Sequence, residues 1–261
     1  MAYSYDETND YQSIADNAQL TFPAATTGWT FGCWVKLDDN TGTGYQYFAS
    51  WGSFNAFPSF NFYFGEASAT GADQNRLICR VNDSDSSSVN IKSSTTPGTS
   101  TSWQHVMLVT TEFITYMYAN GTSVGTSNPA NELSAINLSS AFELGRRTDA
   151  SSTRYLGGDM AEVFKVDYAV SADQIAALQE ASPITVFGAR AFSENNAWHI
   201  PLLGDVNDRG GNLAVTNNGA VVAEHPPIIQ PRPRRTVFVP QAAAPGGTFT
   251  PYYYTNLLAS G

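Results

Sequence analysis

Three histidines, two cysteines and a scatter of carboxylates are the residues of this 261-residue chain that could do chemistry. His105, His199 and His225 sit in WQHV, WHIP and EHPP contexts, and no two stand at metal-ligand spacing. Each is read as a satisfied, partly buried imidazole. No Ser sits on a nucleophile elbow, no Cys lies near a His, and no glycine loop has phosphate-cradling spacing. Cys33 and Cys79 fall in strand-like runs with apolar neighbours and read as two buried, reduced thiols. Asp6, Glu7 and Asp10 cluster in a polar N-terminal stretch without strand rhythm, the pattern of a solvated terminus. Asn82-Asp83-Ser84-Asp85 is the best local set of hard oxygen ligands. It offers about three or four oxygens where calcium wants six to eight, so Asp83 and Asp85 are calcium candidates with an ordinary polar turn as the alternative. No other cofactor is expected.

Stacking is the second kind of chemistry available. Tyr45, Tyr47, Phe48, Trp51, Phe54, Phe57, Phe60, Phe62, Tyr63 and Phe64 crowd twenty residues. The loop Gly52-Ser53-Phe54-Asn55-Ala56-Phe57-Pro58 carries two phenylalanines where a loop should be polar. Trp51, Phe54 and Phe57 are therefore read three ways: as core, as a contact with another subunit, or as a platform for a sugar ring.

Elements that could position these groups are strands. Hydrophobic residues make up 42% of the chain and charged residues 14%, so a large core is available and global disorder is excluded. WTFGCWVKL (29–37) puts Trp29, Phe31, Cys33, Val35 and Leu37 on one face, and 45–51, 60–64, 76–81, 88–91, 102–111, 114–125, 141–145 and 159–167 continue the rhythm. Asn120-Gly121 marks a tight hairpin turn. Many short strands at regular spacing indicate a sandwich or barrel. One helix is signalled over about 172–180, with Ser171 as N-cap, Gln174 completing a capping box, and a stop before Pro183.

Charge divides the chain unevenly. Residues 228–261 hold Arg232, Arg234 and Arg235 and no acid, whereas residues 1–227 hold 10 Lys and Arg against all 23 Asp and Glu, a balance of −13. An acidic body argues against a nucleic-acid partner. No run approaches the roughly eighteen apolar residues of a membrane span, so no membrane partner is expected. MAYSYDETND lacks the basic flank and apolar run of a signal peptide, which implies synthesis in a cytoplasm without export. The proline-punctuated C-terminal stretch cannot continue a helix or central strand, and alone it buries too little apolar area to offset chain entropy.

Several motifs carry a family resemblance. Trp103-Gln104-His105-Val106, Tyr118-Ala119-Asn120-Gly121, Leu144-Gly145, Gly158-Asp159-Met160-Ala161-Glu162-Val163 and Val170-Ser171-Ala172-Asp173-Gln174-Ile175 follow one another over residues 14–182. This series resembles the laminin-G-like branch of the concanavalin A-like jelly-roll lectin/glucanase superfamily. The implied fold is all-β: a two-sheet antiparallel jelly-roll sandwich with one short helix and an extended C-terminal arm. Ala197-Trp198-His199-Ile200-Pro201-Leu202 and the residues to Ala220 resemble the opening strands of such domains, here placed after the core. Residues 1–183 are thus read as the sandwich, 184–227 as strands completing it in this subunit or a neighbour, and 228–261 as the arm. The whole order resembles LamG-like structural proteins of tailed bacteriophages.

Glycosidases of this fold use two carboxylates on one strand separated by one residue, and no Glu-x-Asp-x-Glu pattern occurs here. The resemblance therefore implies a non-enzymatic role. The leading expectation is a virion structural subunit, either capsid decoration or tail-associated. Its arm would bind other virion proteins and copies of itself through Arg232, Arg234, Arg235, Phe238, Tyr252, Tyr253 and Tyr254. The alternative is a carbohydrate-binding module that attaches to host-surface glycans.

Overall fold

The structure is a computed structural model that describes residues 2–38, 44–54, 56–66, 73–85, 87–127, 133–148, 153–194, 197–202, 208–209 and 213–228. The chain divides into two units, Met1–Ile229 and Gln230–Gly261. The second lies outside the described residues, and with it Arg232, Arg234, Arg235, Phe238, Tyr252, Tyr253 and Tyr254.

The described strands are β1 (Ala2–Asp6), β2 (Tyr11–Ile14), β3 (Trp29–Leu37), β4 (Gln46–Trp51), β5 (Ser59–Phe64), β6 (Leu77–Asn82), β7 (Ser88–Lys92), β8 (Gln104–Thr110), β9 (Thr115–Ala119), β10 (Thr122–Ser127), β11 (Phe142–Leu144), β12 (Arg146–Thr148), β13 (Thr153–Tyr155), β14 (Gly157–Val166), β15 (Trp198–Ile200), β16 (Val215–Asn218) and β17 (Val221–Ala223). An eight-stranded sheet runs β10-β9-β8-β3-β14-β1-β17, with β15 also paired to β14. A seven-stranded sheet runs β16-β2-β11-β4-β5-β6-β7. The short ribbon β12-β13 stands apart.

Alternation sets the core. Trp29, Phe31, Cys33, Val35 and Leu37 of β3 all point inward, where they meet Phe60, Phe62 and Phe64 of β5. Phe31 lies 5.2 Å from Phe60 edge-on, and Phe22 stacks on Phe60 at 4.8 Å. Each such side chain contributes roughly 1.5–3 kcal/mol on burial. The β9–β10 turn has Asn120 at φ 48° and Gly121 at φ 75°, the two positive values that a two-residue hairpin demands. At Gly145 (φ 74°) a Cβ would come within 2.4 Å of the Tyr5 ring, so the Leu144-Gly145 pair lets β1 close on the sheet end.

Two expectations need correction. Asp6 and Glu7 are exposed as expected, but the stretch around them is built into both sheets: β1 pairs with β14 and β17, β2 pairs with β11 and β16, and Asp10 is buried. Polar Ser, Asp and Gln dilute the apolar pattern of β1 and β2, and their partners lie far along the chain. Helical structure also extends beyond one helix. Ser171 caps α1 (Ala172–Ala177) through a complete capping box with Gln174, and α2 (Pro183–Phe187) and α3 (Ala189–Glu194) follow. Pro183 opens a helix as well as ending one, because a first-turn residue needs no N–H partner.

These helices decide which faces remain open. Val170, Ile175, Leu178 and Phe192 pack onto Met107, Val109, Phe164 and Val166, on the outer side of the eight-stranded sheet. Ala2, Trp34 and Ala161 are covered on that sheet by Trp103, Ala223 and Ile228. β15, β16 and β17 pair with β14, β2 and β1 of this same chain. The outer face of the seven-stranded sheet has no such helical cover among the described residues.

Candidate functional site

On that open face the strand register lines up polar side chains across all seven strands. Thr216, Ser13, Glu143, Ser50, Asn61, Arg80 and Asn90 are successive cross-strand partners. They point outward because their neighbours along each strand, such as Phe60 and Phe62, point into the core. A parallel row runs Tyr47, Tyr63, Ile78, Lys92. A bulge between Tyr47 and Ala49 resets the alternation of β4, which is how Phe48, Ala49 and Trp51 reach the core while Tyr47 stays outside.

A depression of about 270 Å³ opens between these rows, lined by Tyr45, Tyr47, Phe54, Tyr63, Asp73, Arg80, Asn90, Lys92 and Arg147. Tyr47 stacks on Tyr63 at 4.5 Å, and Tyr45 meets the same ring edge-on at 5.7 Å. Phe54 folds back against Tyr63, with the Arg80 guanidinium 4.8 Å and that of Arg147 4.6 Å from its ring centre. Arg147 donates to the Tyr47 hydroxyl at 2.6 Å, and Lys92 pairs with Asp73 at 2.5 Å. Burial pushes the Tyr63 hydroxyl well up, so this wall stays uncharged. Beside it a second hollow of about 260 Å³ is lined by Ser50, Gly52, Ser53, Ser140, Ala141 and Glu143. Asn61 lies in register between Ser50 and Arg80, and both polar atoms of its buried carboxamide lack a hydrogen-bond partner. A buried orphan amide is a demand for partners that the protein itself does not meet.

The expected site residues fall in different places. Trp51 is fully buried in the core, with Nε1 donating to the Ser140 carbonyl at 2.8 Å, so it is no part of a contact loop. Phe54 lines the depression, and Phe57 is 46% exposed. Asp83 is buried at the β6–β7 turn, where its carboxylate accepts from the backbone N–H groups of Asp85 (2.9 Å), Ser87 (2.8 Å) and Ser134 (2.8 Å). Asp85 accepts from the Ser134 hydroxyl. These bonds tie the turn to a distant segment, and among the described residues no group of three or more His, Cys, Asp and Glu is placed to hold a metal. Cys33 and Cys79 are both buried and free, with burial pushing both thiols up. His105 is buried beside Trp34 and Phe164 and bonds Gln179 at 2.8 Å; desolvation pushes it down to about 3, so it stays neutral.

A buried polar cluster was not visible in the sequence. Glu162 is fully buried and bridges two imidazoles, His199 Nε2 at 2.8 Å and His225 Nε2 at 2.8 Å. It occupies the bulge of β14, at φ 52°, where β1 stops pairing at Met160 and β15 starts at Val163. The partner change lets one residue leave the ladder and aim its carboxylate into the seam. Asp208 accepts from the His199 backbone N–H at 3.0 Å. Both ring nitrogens of His225 face oxygens, Glu162 and the Pro226 carbonyl at 2.9 Å. The cluster thus clips residue 225, just ahead of the arm, to the middle of β14. Its members lie 37 and 63 residues apart, beyond the reach of spacing rules.

Residues 6–176 match the family described as the concanavalin A-like lectin/glucanases superfamily, in its laminin-G branch. Among solved structures, a Bacteroides ovatus ATCC 8483 protein described as a candidate carbohydrate binder superposes with a TM-score of 0.60 at 16% identity, over 84% of this chain. The chain spans 58% of that protein's length. The heptameric SAP-like pentraxin of Limulus polyphemus gives a TM-score of 0.46 at 17% identity, over 69% of this chain and 81% of its own. Domains LG4-5 of the mouse laminin alpha1 chain give 0.45 at 6% identity, over 63% and 40%. No curated protein matches the sequence.

Proposed function

We propose that this chain, which belongs to the concanavalin A-like lectin/glucanases superfamily, is a non-enzymatic binding module that takes a saccharide on the open face of its seven-stranded sheet. The observation that carries this reading is the depression walled by Tyr45, Tyr47, Phe54 and Tyr63 and edged by Arg80, Asn90 and Arg147. A sugar ring has apolar C–H faces and a belt of hydroxyls, and it is met by aromatic walls with a few convergent polar groups. The Bacteroides ovatus protein of the same fold, itself described as a candidate carbohydrate binder, favours saccharides over other ligands.

Binding without hydrolysis is supported by the carboxylates. Glu143 is held by Arg146 and Asp73 by Lys92. The strands carrying Glu143 and Lys92 are four spacings apart in the sheet, about 19 Å at roughly 4.8 Å each. A retaining pair needs roughly 5–5.5 Å and an inverting pair roughly 6.5–9.5 Å. The test is a glycan-array screen of the full chain beside Tyr45→Ala. Reproducible binding to a defined glycan set, lost in the variant, is expected. A blank array for the wild type overturns the reading.

A second reading, the virion structural subunit, is favoured by the edge of the other sheet. β17 is an edge strand, and its Val221 and Val222 are 62% and 49% exposed just before the arm. An apolar edge strand followed in the sequence by a cationic, proline-rich stretch suits strand addition by a neighbouring chain. The arm's three arginines complement an acidic body on that neighbour. In this reading the protein is capsid decoration or tail-associated and its arm tethers it, with the saccharide face turned to the host. Particles grown with residues 229–261 deleted should lack the protein; normal incorporation would end this second reading.

A further inference from the structure

His225 stands between two acceptors. Its Nε2 lies 2.8 Å from a Glu162 carboxylate oxygen, and its Nδ1 lies 2.9 Å from the Pro226 carbonyl oxygen. Both neighbours present lone pairs, so each contact needs a hydrogen of its own, and a neutral imidazole carries only one N–H. The second proton belongs to the His225–Glu162 pair, as imidazolium against carboxylate or as neutral ring against carboxylic acid. His199 differs. Its Nε2 meets the other Glu162 oxygen at 2.8 Å, and its buried Nδ1 has no hydrogen-bond partner, so a single N–H suffices there. One proton therefore decides whether both contacts of His225 can exist.

We infer that the pair is a proton-dependent latch that holds residues 224–228 on the eight-stranded sheet and lets them lift as pH rises. When the shared proton leaves to solvent, a fully buried carboxylate faces neutral imidazoles, and one His225 contact sets lone pair against lone pair. Pro226 and Pro227 fix the backbone φ beside the ring, so a small local turn cannot relieve that mismatch. The charged and titratable groups around the pair come from five places. Lys36 of β3 is bonded to Asp159 of β14 at 3.0 Å, and exposed Glu224 precedes His225. His105 of β8 is buried and neutral, and Asp208 and Arg209 follow β15, bonded to the His199 backbone. Carboxylate, ammonium and guanidinium groups ordinarily hold their charge from about pH 6 to about pH 9, whereas an imidazole does not. The latch covers an aromatic surface: Ala223 and Ile228 pack with Trp103 on Trp34 and Ala161, on the other sheet from the saccharide depression. Opening it uncovers Trp34 and Trp103 and frees the segment from which the arginine-bearing stretch continues.

Acrylamide quenching of the full chain's tryptophan fluorescence, stepped from about pH 6 to about pH 9, tests this. Trp29, Trp51 and Trp198 are fully buried, so a gain in quenching reads Trp34 and Trp103. The quenching constant should rise at least about twofold across that range, in step with the His225 ring titration followed by nitrogen-15 NMR. His225→Gln keeps one N–H donor toward Glu162 and cannot titrate, so its quenching should hold one level throughout. Loss of stability through His105 runs toward acid and cannot imitate a rise toward alkali. A flat wild-type profile overturns the inference, and so does a rise that persists in His225→Gln. Should the variant not fold, hydrogen exchange of the wild type decides. The Ile228 N–H, bonded to the Pro226 carbonyl at 2.8 Å, should lose protection at least about tenfold as His225 titrates. Constant protection there overturns the inference and leaves the saccharide reading untouched.

Discussion

Replacing Glu162 by alanine should be among the costliest single changes available to this sandwich. The side chain is fully buried, sits at positive φ in a bulge, and is bonded by two imidazoles at 2.8 Å. Its removal leaves the His199 and His225 ring nitrogens without the carboxylate that both face. Deleting a buried side chain that two others hydrogen-bond, so that both are left unmet, costs about 3–5 kcal/mol. For a domain of this size each kcal/mol moves the midpoint by about 2–4 °C, so a drop of about 6–20 °C is expected in calorimetry. Glu162→Gln keeps the volume and one acceptor and should lose about half as much. The cluster's coupling is read from a double-mutant cycle with His225→Ala, where the pair should fall short of the sum of the singles by at least about 1 kcal/mol. A Glu162→Ala protein within about 1 kcal/mol of wild type by urea titration, or strict additivity with His225→Ala, would refute the claim that this carboxylate holds the C-terminal segment to β14.

Three other outcomes follow from the same geometry. His105 is neutral in the fold and pushed down to about 3, whereas the unfolded ring titrates near 6.5. The unfolded chain therefore binds one more proton in that window, so stability is whole above about pH 6.5 and drains by about 1.4 kcal/mol per unit as pH falls, reaching about 2.7 kcal/mol at pH 4.5. His105→Gln should flatten this slope in denaturant melts at stepped pH, and an unchanged slope would count against it. Tyr45→Ala removes a half-buried wall of the depression and should weaken glycan binding by about 0.5–1.5 kcal/mol with little change in melting temperature. Because the Asp83 carboxylate already accepts three backbone N–H groups, Asp83→Ala should destabilise the fold by about 1–3 kcal/mol, and millimolar calcium should leave the wild-type midpoint unmoved; a calcium-dependent rise of several degrees would reassign that turn.

Legibility followed the range of the interactions. The apolar set Trp29, Phe31, Cys33, Val35 and Leu37 is visible because a strand with one face in the core repeats every two residues. The Asn120-Gly121 turn and the Ser171–Gln174 capping box are visible because both are closed within four residues. β1 and β2 are not, since their pairing with β14, β17, β11 and β16 is written in residues far downstream. Trp51 misleads because the bulge between Tyr47 and Ala49 reverses the parity of β4. The tyrosines of the depression stand out in composition, yet Arg80 and Arg147 join them only through sheet order and a loop that folds back. Glu162, His199 and His225 meet through a change of strand partner, for which no local pattern exists.

The most direct test of the saccharide face is a co-crystal of the full chain with a glycan selected on the array. The account predicts sugar density against Tyr45 and Tyr63 with its substituents toward Arg80 and Arg147. Density seated at the sandwich rim or on the helix-covered side, with this depression empty, would contradict it.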